Sequence, residues 1–187
     1  MDRRKALQNI GVGFGAIALT PTVVSLFQSC QTTPSYTAIS FSQEQFNVVA
    51  ELMEIIIPPT DIPGAKELKL PEFTDTYVDV ILNEEAKTAT ISGLDAFIEE
   101  ALIDSGKSKA GELTTDDWEA QLSKNLKTPG LESPPAAFAE QLRGMTVNAF
   151  KINEFIGEQV LAYRPIPGEQ RGCVDLMETT GGKAWSL

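Results

Sequence analysis

No histidine occurs among the 187 residues. That removes the commonest general base, the commonest zinc ligand and the usual haem ligand. It also removes Ser-His and Cys-His nucleophilic pairs. Cysteine is nearly as scarce: Cys30 and Cys173 stand alone, with no C-x-x-C pair. Bases are in deficit, with 15 Lys and Arg against 26 Asp and Glu, for a net charge of −11. Such a surface repels phosphate backbones, so nucleic acid is excluded as a partner. It offers no basic patch to anionic lipid either, so membrane attachment would rest on an anchor. No run alternates with strand period, and no segment repeats. Gly11, Gly13 and Gly15 follow no strand, so they make no phosphate loop. The apolar stretch after Ile10 is broken by these glycines and by Pro21, short of the ~20 residues of a membrane span. A transmembrane anchor is the competing reading of that stretch.

Carboxylates are abundant, but Glu84-Glu85, Glu99-Glu100 and Asp116-Asp117 are sequence neighbours. Adjacent residues on a helix do not face one another. These pairs read as solvated faces, and Asp116-Asp117 as charges that complement a helix N-terminus. No catalytic, metal-binding or cofactor-binding residue is assigned.

The first thirty residues carry the strongest positive signal. Asp2-Arg3-Arg4-Lys5 is a basic opening, a mildly apolar run follows, and Ser29-Cys30 closes it. That is the order of an export signal. The paired Arg3 and Arg4 point to the twin-arginine route, which carries folded cargo. Cys30 after the small Ser29 points to lipid attachment. The expected organisation is an export signal over 1–29, a tether over 30–41 and a single helical domain over 42–187. The expected location is the periplasmic side, as a membrane-anchored lipoprotein. With Cys30 acylated, Cys173 is left as an intermolecular bridge, a free thiol or a buried inert one.

Helical periodicity dominates the rest, and the expected fold is all-α: an irregular bundle of about five helices, long Pro/Gly-rich irregular segments and a non-helical C-terminal tail. Ser42 with Gln45 reads as a capping box. It opens a helix over 43–57 with Phe46, Val49, Ala50 and Met53 inward, stopped by Pro58-Pro59. Pro71 starts a second helix to about Asn83, with Phe73, Tyr77, Val80 and Ile81 as its apolar stripe. A third spans 86–103 through Ile91, Leu94, Phe97, Ile98, Ala101 and Leu102. Thr114 or Thr115 caps a fourth with Trp118, Leu122 and Leu126 inward. Ser133 caps a fifth carrying Phe138, Leu142, Met145, Val147, Ala149, Phe150 and Ile152, continuing, bent, through Phe155 and Ile156 to Leu161.

Two segments stand outside this pattern. One is Pro58-Pro59-Thr60-Asp61-Ile62-Pro63-Gly64-Ala65 and the other begins Tyr163-Arg164-Pro165-Ile166-Pro167-Gly168. Proline has already restricted the unfolded chain, so such segments order at low entropic cost. They suit docking on a partner, and Tyr163 and Arg164 are residue types that anchor interfaces. Packing of both segments over the chain's own helices is the alternative.

These same residues carry a family likeness. The run from Glu54 to Ala65 resembles the "IIP-x-T-D-x-PGA" segment of the gluconate 2-dehydrogenase subunit 3 family. Tyr163-Arg164-Pro165-Ile166-Pro167-Gly168 with Gly172-Cys173-Val174 resembles that family's C-terminal ending. The resemblance implies a small, non-catalytic subunit of a membrane-bound sugar or sugar-acid dehydrogenase. The large subunit, of the glucose-methanol-choline type, would hold FAD, so none is bound by this chain. A cytochrome c subunit often takes the electrons. The small subunit would supply the export signal, Arg3 and Arg4 would be read by the export machinery, and Cys30 would carry the lipid. Pro58, Pro59, Thr60, Asp61, Pro63, Gly64 and Ala65, with Tyr163, Arg164, Pro165, Pro167 and Gly168, would meet the partner. Cys173 would form a disulfide with the flavoprotein. A stand-alone surface lipoprotein that binds without a redox partner is the other reading.

Overall fold

Ser42 begins the first helix as the sequence leads one to expect. Its Oγ accepts from the Gln45 amide at 3.2 Å, and Gln45 Oε1 accepts from the Ser42 amide at 2.9 Å. In this computed structural model, residues 36–127, 133–164, 168 and 173–186 are described. The chain divides into two units, Met1–Thr37 and Ala38–Leu187. Only Tyr36 and Thr37 of the first are described, and every described helix lies in the second.

These helices are α1 (Gln43–Ile56), α2 (Leu70–Val80), α3 (Glu84–Ser105), α4 (Thr115–Lys127), α5 (Pro134–Ile152) and α6 (Leu176–Thr180). A 3-10 turn (Ala110–Glu112) precedes α4, and a π-helical turn (Ile156–Val160) follows α5. The described residues contain no strand, only a parallel bridge between Ala162 and Trp185. The fold is all-α. α5 is its centre and packs against α1, α2, α3 and α4. Its closest partner is α3, where Gly93 admits Phe138; a Cβ at Gly93 would stand 3.0 Å from that of Phe138. Phe97 of α3 is fully buried between Trp118 of α4, with ring centroids 6.4 Å apart, and Phe138 of α5, at 5.6 Å. Each such buried aromatic contributes roughly 1.5–3 kcal/mol of transfer free energy.

Several expectations are corrected. α2 ends at Val80, not Asn83, because Asn83 caps α3: its Oδ1 accepts from the Ala86 amide at 2.8 Å. α3 therefore starts two residues earlier than its apolar pattern implies. Phe73 and Val80 of α2 and Ile81 at its C-cap face outward, and the buried face is Leu70, Pro71, Thr74, Asp75 and Val78. The Asp75 carboxylate explains the reversal. It is wholly buried and accepts from the amides of Ile39 (2.7 Å), Ser40 (2.9 Å) and Phe41 (3.1 Å). By accepting three amides of the 39–41 segment that covers it, the carboxylate is held on the buried side of α2 beside Leu70, Pro71, Thr74 and Val78. Residues 39–41, expected at the end of the tether, are thus fixed to the domain, with Phe41 buried.

On α5, Val147 and Ile152 are exposed, while Thr146 and the small Ala136 and Ala139 lie in the core. Helix continues past α5 to Val160 as expected, but through a break at Asn153 and not by a smooth bend. Asn153 is extended, and its Oδ1 accepts from the amides of Phe155 (3.1 Å) and Ile156 (3.4 Å), so the chain restarts as the π turn. Ile156 is buried and Phe155 exposed. The C-terminal tail is not wholly non-helical either. Asp175 caps α6 by accepting from the Glu178 amide at 2.9 Å, and Gly181 ends it in the left-handed region.

Polar contacts tie α3 to α4. Gln121 and Asn125, buried beside the expected Trp118 and Leu122, donate to Glu100 Oε2 at 2.5 and 3.0 Å. Lys124 meets Glu100 at 2.7 Å and Asp104 at 2.5 Å. Burial pushes the Glu100 carboxyl up, but the hydrogen bonds from Lys124, Asn125 and Gln121 outweigh it and hold the group below its ordinary value. Asp117 is held well below the carboxylate range by its bond from Lys107, then by those from the Thr114 hydroxyl and amide at 2.6 and 2.7 Å. Both groups titrate lower in the folded chain than in the unfolded one. Their stabilisation is therefore complete above the unfolded value of about 4 and is lost as pH falls below it. Urea midpoints measured from pH 7 to pH 3 are expected to fall below about pH 4. The fall should be shallower in Glu100→Gln and in Asp117→Asn; an unchanged slope in both would contradict this origin.

Candidate functional site

The 58–65 segment is a rim mounted on a fixed base. Pro58 and Pro59 end α1, because the first lacks the N–H the ladder needs and the second restricts its neighbour. The chain then reverses, and the Ala65 amide donates to the Ile57 carbonyl at 3.0 Å. Within the turn, the Thr60 amide donates to Ile62 O at 3.0 Å. Gly64 lies where a side chain cannot. A Cβ there would be 2.8 Å from Glu54 Oε1 and 2.8 Å from the backbone N of Pro59. The other oxygen of Glu54 accepts from the Lys66 amide at 2.8 Å, and Lys66 Nζ meets Glu51 at 2.6 Å. Pro58, Pro59, Thr60 and Asp61 are exposed, Pro63 is half-buried, and Gly64 and Ala65 are buried. The expected interface residues thus divide by role: four form the rim, and Gly64 and Ala65 hold it.

The turn beyond this loop leads to Lys69, which caps α2 with a left-handed backbone, φ 56°. Asn153 Nδ2 donates to Leu68 O at 3.3 Å. A groove of about 400 Å³ joins Glu67, Leu68 and Lys69 to Asn153, Phe155 and Gln159. The exit of the first segment and the approach to the second therefore share one end of the domain.

The tail returns to that end. The Ala162 amide donates to Ala184 O at 2.8 Å, the Ser186 amide donates to Ala162 O at 3.0 Å, and Lys183 Nζ donates to Gln159 O at 2.9 Å. Tyr163, Arg164 and Gly168 are exposed, as are Val174, Leu176, Met177 and Trp185. Cys173 is a free, exposed thiol. Pro165 and Pro167 lie outside the described residues, as do Arg3, Arg4 and Cys30 with the expected signal over 1–29 and the first part of the tether.

Two acids with a large structural part carry no signal in the sequence: Glu54, which holds the rim, and Asp75, which holds the 39–41 entry of the chain. Glu54 sits among solvent-facing acids of α1, and Asp75 stands between two threonines on what reads as the polar side of its helix; neither matches a capping or ligand pattern. A separate groove of about 740 Å³ runs between α1 and the 110–118 segment, lined by Glu44, Glu51, Leu113 and Trp118 among others. It holds hydroxyls and carboxylates but no paired nucleophile and base. Among the described residues no group of three or more His, Cys, Asp or Glu could hold a metal ion. No described helix is long and apolar enough to cross a membrane.

Neither the curated proteins nor the solved structures contain a match to this chain. The model of one family, described as gluconate 2-dehydrogenase subunit 3, matches residues 43–168. The match takes in α1 through α5, the 58–65 loop and the 163–168 run, and stops short of Cys173. This chain belongs to the gluconate 2-dehydrogenase subunit 3 family.

Proposed function

We propose that this chain is the non-catalytic small subunit of an exported, FAD-dependent dehydrogenase of the glucose-methanol-choline type that oxidises a sugar or sugar acid. Its family membership makes it an accessory subunit of a dehydrogenase complex. The finer reading adds escort of the folded flavoprotein through twin-arginine export and attachment at the periplasmic face by lipid on Cys30. One observation carries it above the others. Inside the family match, Pro58 to Asp61 are presented outward on a base locked by Glu54, Gly64 and the Ile57–Ala65 hydrogen bond. A rim held this firmly loses little freedom on binding, which suits a stable subunit contact. The exposed Tyr163, Arg164 and Trp185 supply anchors of the kind interfaces favour. A flavoprotein must bind its cofactor before a folded crossing, which gives the paired arginines their purpose. A cytochrome c subunit is the expected electron acceptor.

The escort role is tested by converting Arg3 and Arg4 to lysine in cells that make both subunits. The large subunit is expected to stay in the cytoplasm. Its arrival in the periplasm at the normal level would contradict escort. The exposed Cys173 is the proposed partner of a cysteine in the flavoprotein, and identical migration of the complex on reducing and non-reducing gels would exclude that bridge.

A further inference from the structure

We propose that the outward face of α2, with the cleft it forms against α5, is a second docking surface for the dehydrogenase subunit. The contact would seat a partner ridge of apolar side chains flanked by Arg or Lys. The inference rests on the accessory-subunit reading above and names a surface that neither Pro-rich segment contains. Phe73, Tyr77, Val80 and Ile81 stand at i, i+4, i+7 and i+8, so they share one side of the helix. That side is not in the core: Val80 is 68% and Ile81 62% exposed, and Phe73 is exposed too. A contiguous apolar stripe left in water marks an interaction surface.

The stripe continues into a shaped hollow. Phe73 and Tyr77, with ring centroids 6.3 Å apart, face Gly144, Met145 and Asn148 of α5 across a cleft of about 170 Å³. Gly144 is an exposed glycine in a helix interior, where it weakens the helix relative to any ordinary residue. Among the described residues outside its own turn of helix, nothing lies within 4 Å of where its Cβ would be, so no packing seen there accounts for it. Close approach of another molecule over this turn of α5 does.

Charge selects among the possible occupants. The Val80–Ile81 end is edged by Asp79, Glu84 and Glu85, with Lys87 held between Asp79 (3.4 Å) and Glu84 (3.3 Å). The edge stays acidic after that pairing, and the whole chain is at −11. An anionic bilayer would be repelled. A second copy would set like charges against each other across a two-fold axis. A protein partner with a basic-flanked apolar ridge meets both the stripe and its edge.

The test uses the full chain, C-terminally tagged and made together with the large subunit, in wild type, in Val80→Glu/Ile81→Glu and in Ile103→Glu. Ile103 is equally exposed. It lies near the other end of α3, about 30 Å along that helix from Glu84. The double variant is expected to recover at least tenfold less large subunit, with the tagged chain itself still folded by circular dichroism. Ile103→Glu is expected to match wild type. Undiminished recovery by the double variant would overturn the surface and leave the accessory reading standing. Equal losses in both variants would overturn it as a general charge effect. Recovery at the wild-type level with release from the membrane would assign the stripe to lipid, and a shift from dimer to monomer would assign it to a second copy. No large subunit with the wild-type chain would overturn the accessory reading itself, and this surface with it.

Discussion

Asp75→Ala is expected to destabilise the folded chain by about 3–5 kcal/mol, among the largest losses a single side chain here can cause. The carboxylate is wholly buried and accepts from three successive amides, those of Ile39, Ser40 and Phe41, at 2.7–3.1 Å. Alanine leaves the buried Phe41 N–H without its acceptor and the part-buried Ile39 and Ser40 amides without theirs, and each orphaned buried donor costs about 1–3 kcal/mol. Local release of residues 39–41 into water would limit the total, at the cost of exposing Phe41. In a chain of this size the loss corresponds to a melting temperature lower by roughly 6–20 °C. Asp75→Asn should lose less, because its amide oxygen still accepts, but its NH₂ cannot replace the second oxygen. Urea unfolding gives the energies, and amide exchange shows whether Ile39, Ser40 and Phe41 lose protection first. A loss under about 1 kcal/mol in Asp75→Ala would mean that the clamp does not hold the entry of the chain.

Gly64→Ala is the second, and its larger effect falls on assembly. The backbone at Gly64 is not left-handed, so the demand for glycine is one of space and not of conformation. An added Cβ meets Glu54 Oε1 at 2.8 Å, which can swing away, but also the Pro59 backbone N at 2.8 Å and Cδ at 2.9 Å, which cannot move without displacing the rim. If Glu54 moves, its bond to the Lys66 amide is lost as well. Overpacking of this kind costs about 1–3 kcal/mol. Displacing Pro58 to Asp61 by even an ångström should reduce recovery of the large subunit several-fold while the helices stay folded. A Gly64→Ala chain with wild-type stability and wild-type recovery would show that the loop is neither tightly held nor used.

The helices were legible wherever local chemistry decides them. Ser42-Gln45, Ser133 and the prolines at 58, 71 and 134 set most boundaries to within two residues, whereas the cap at Asn83 reads in sequence as the end of the preceding helix. Faces were less legible. Periodicity named Phe73, Tyr77, Val80 and Ile81 as an inward stripe, but the contact of Asp75 with residues 34 to 36 positions away decided which side of α2 is buried. Periodicity reports that a helix has two sides and cannot say which side tertiary structure covers. The same limit applies to Val147 and Ile152 on α5. Asn153 is a favoured N-cap residue, but the apolar positions on either side of it, Ile152, Phe155 and Ile156, read as one continuing helix and hid the break. At the candidate site, composition marked both Pro-rich segments, while the division into an exposed rim and a buried base depended on Glu54, an acid indistinguishable in sequence from its solvated neighbours.

The most direct measurement is co-purification of the tagged chain from gently solubilised membranes. The accessory-subunit proposal predicts a large, yellow, FAD-absorbing partner in the same fraction, with dye-linked oxidation of a sugar or sugar acid. A colourless preparation of this chain alone, without a large partner and without that activity, would contradict it.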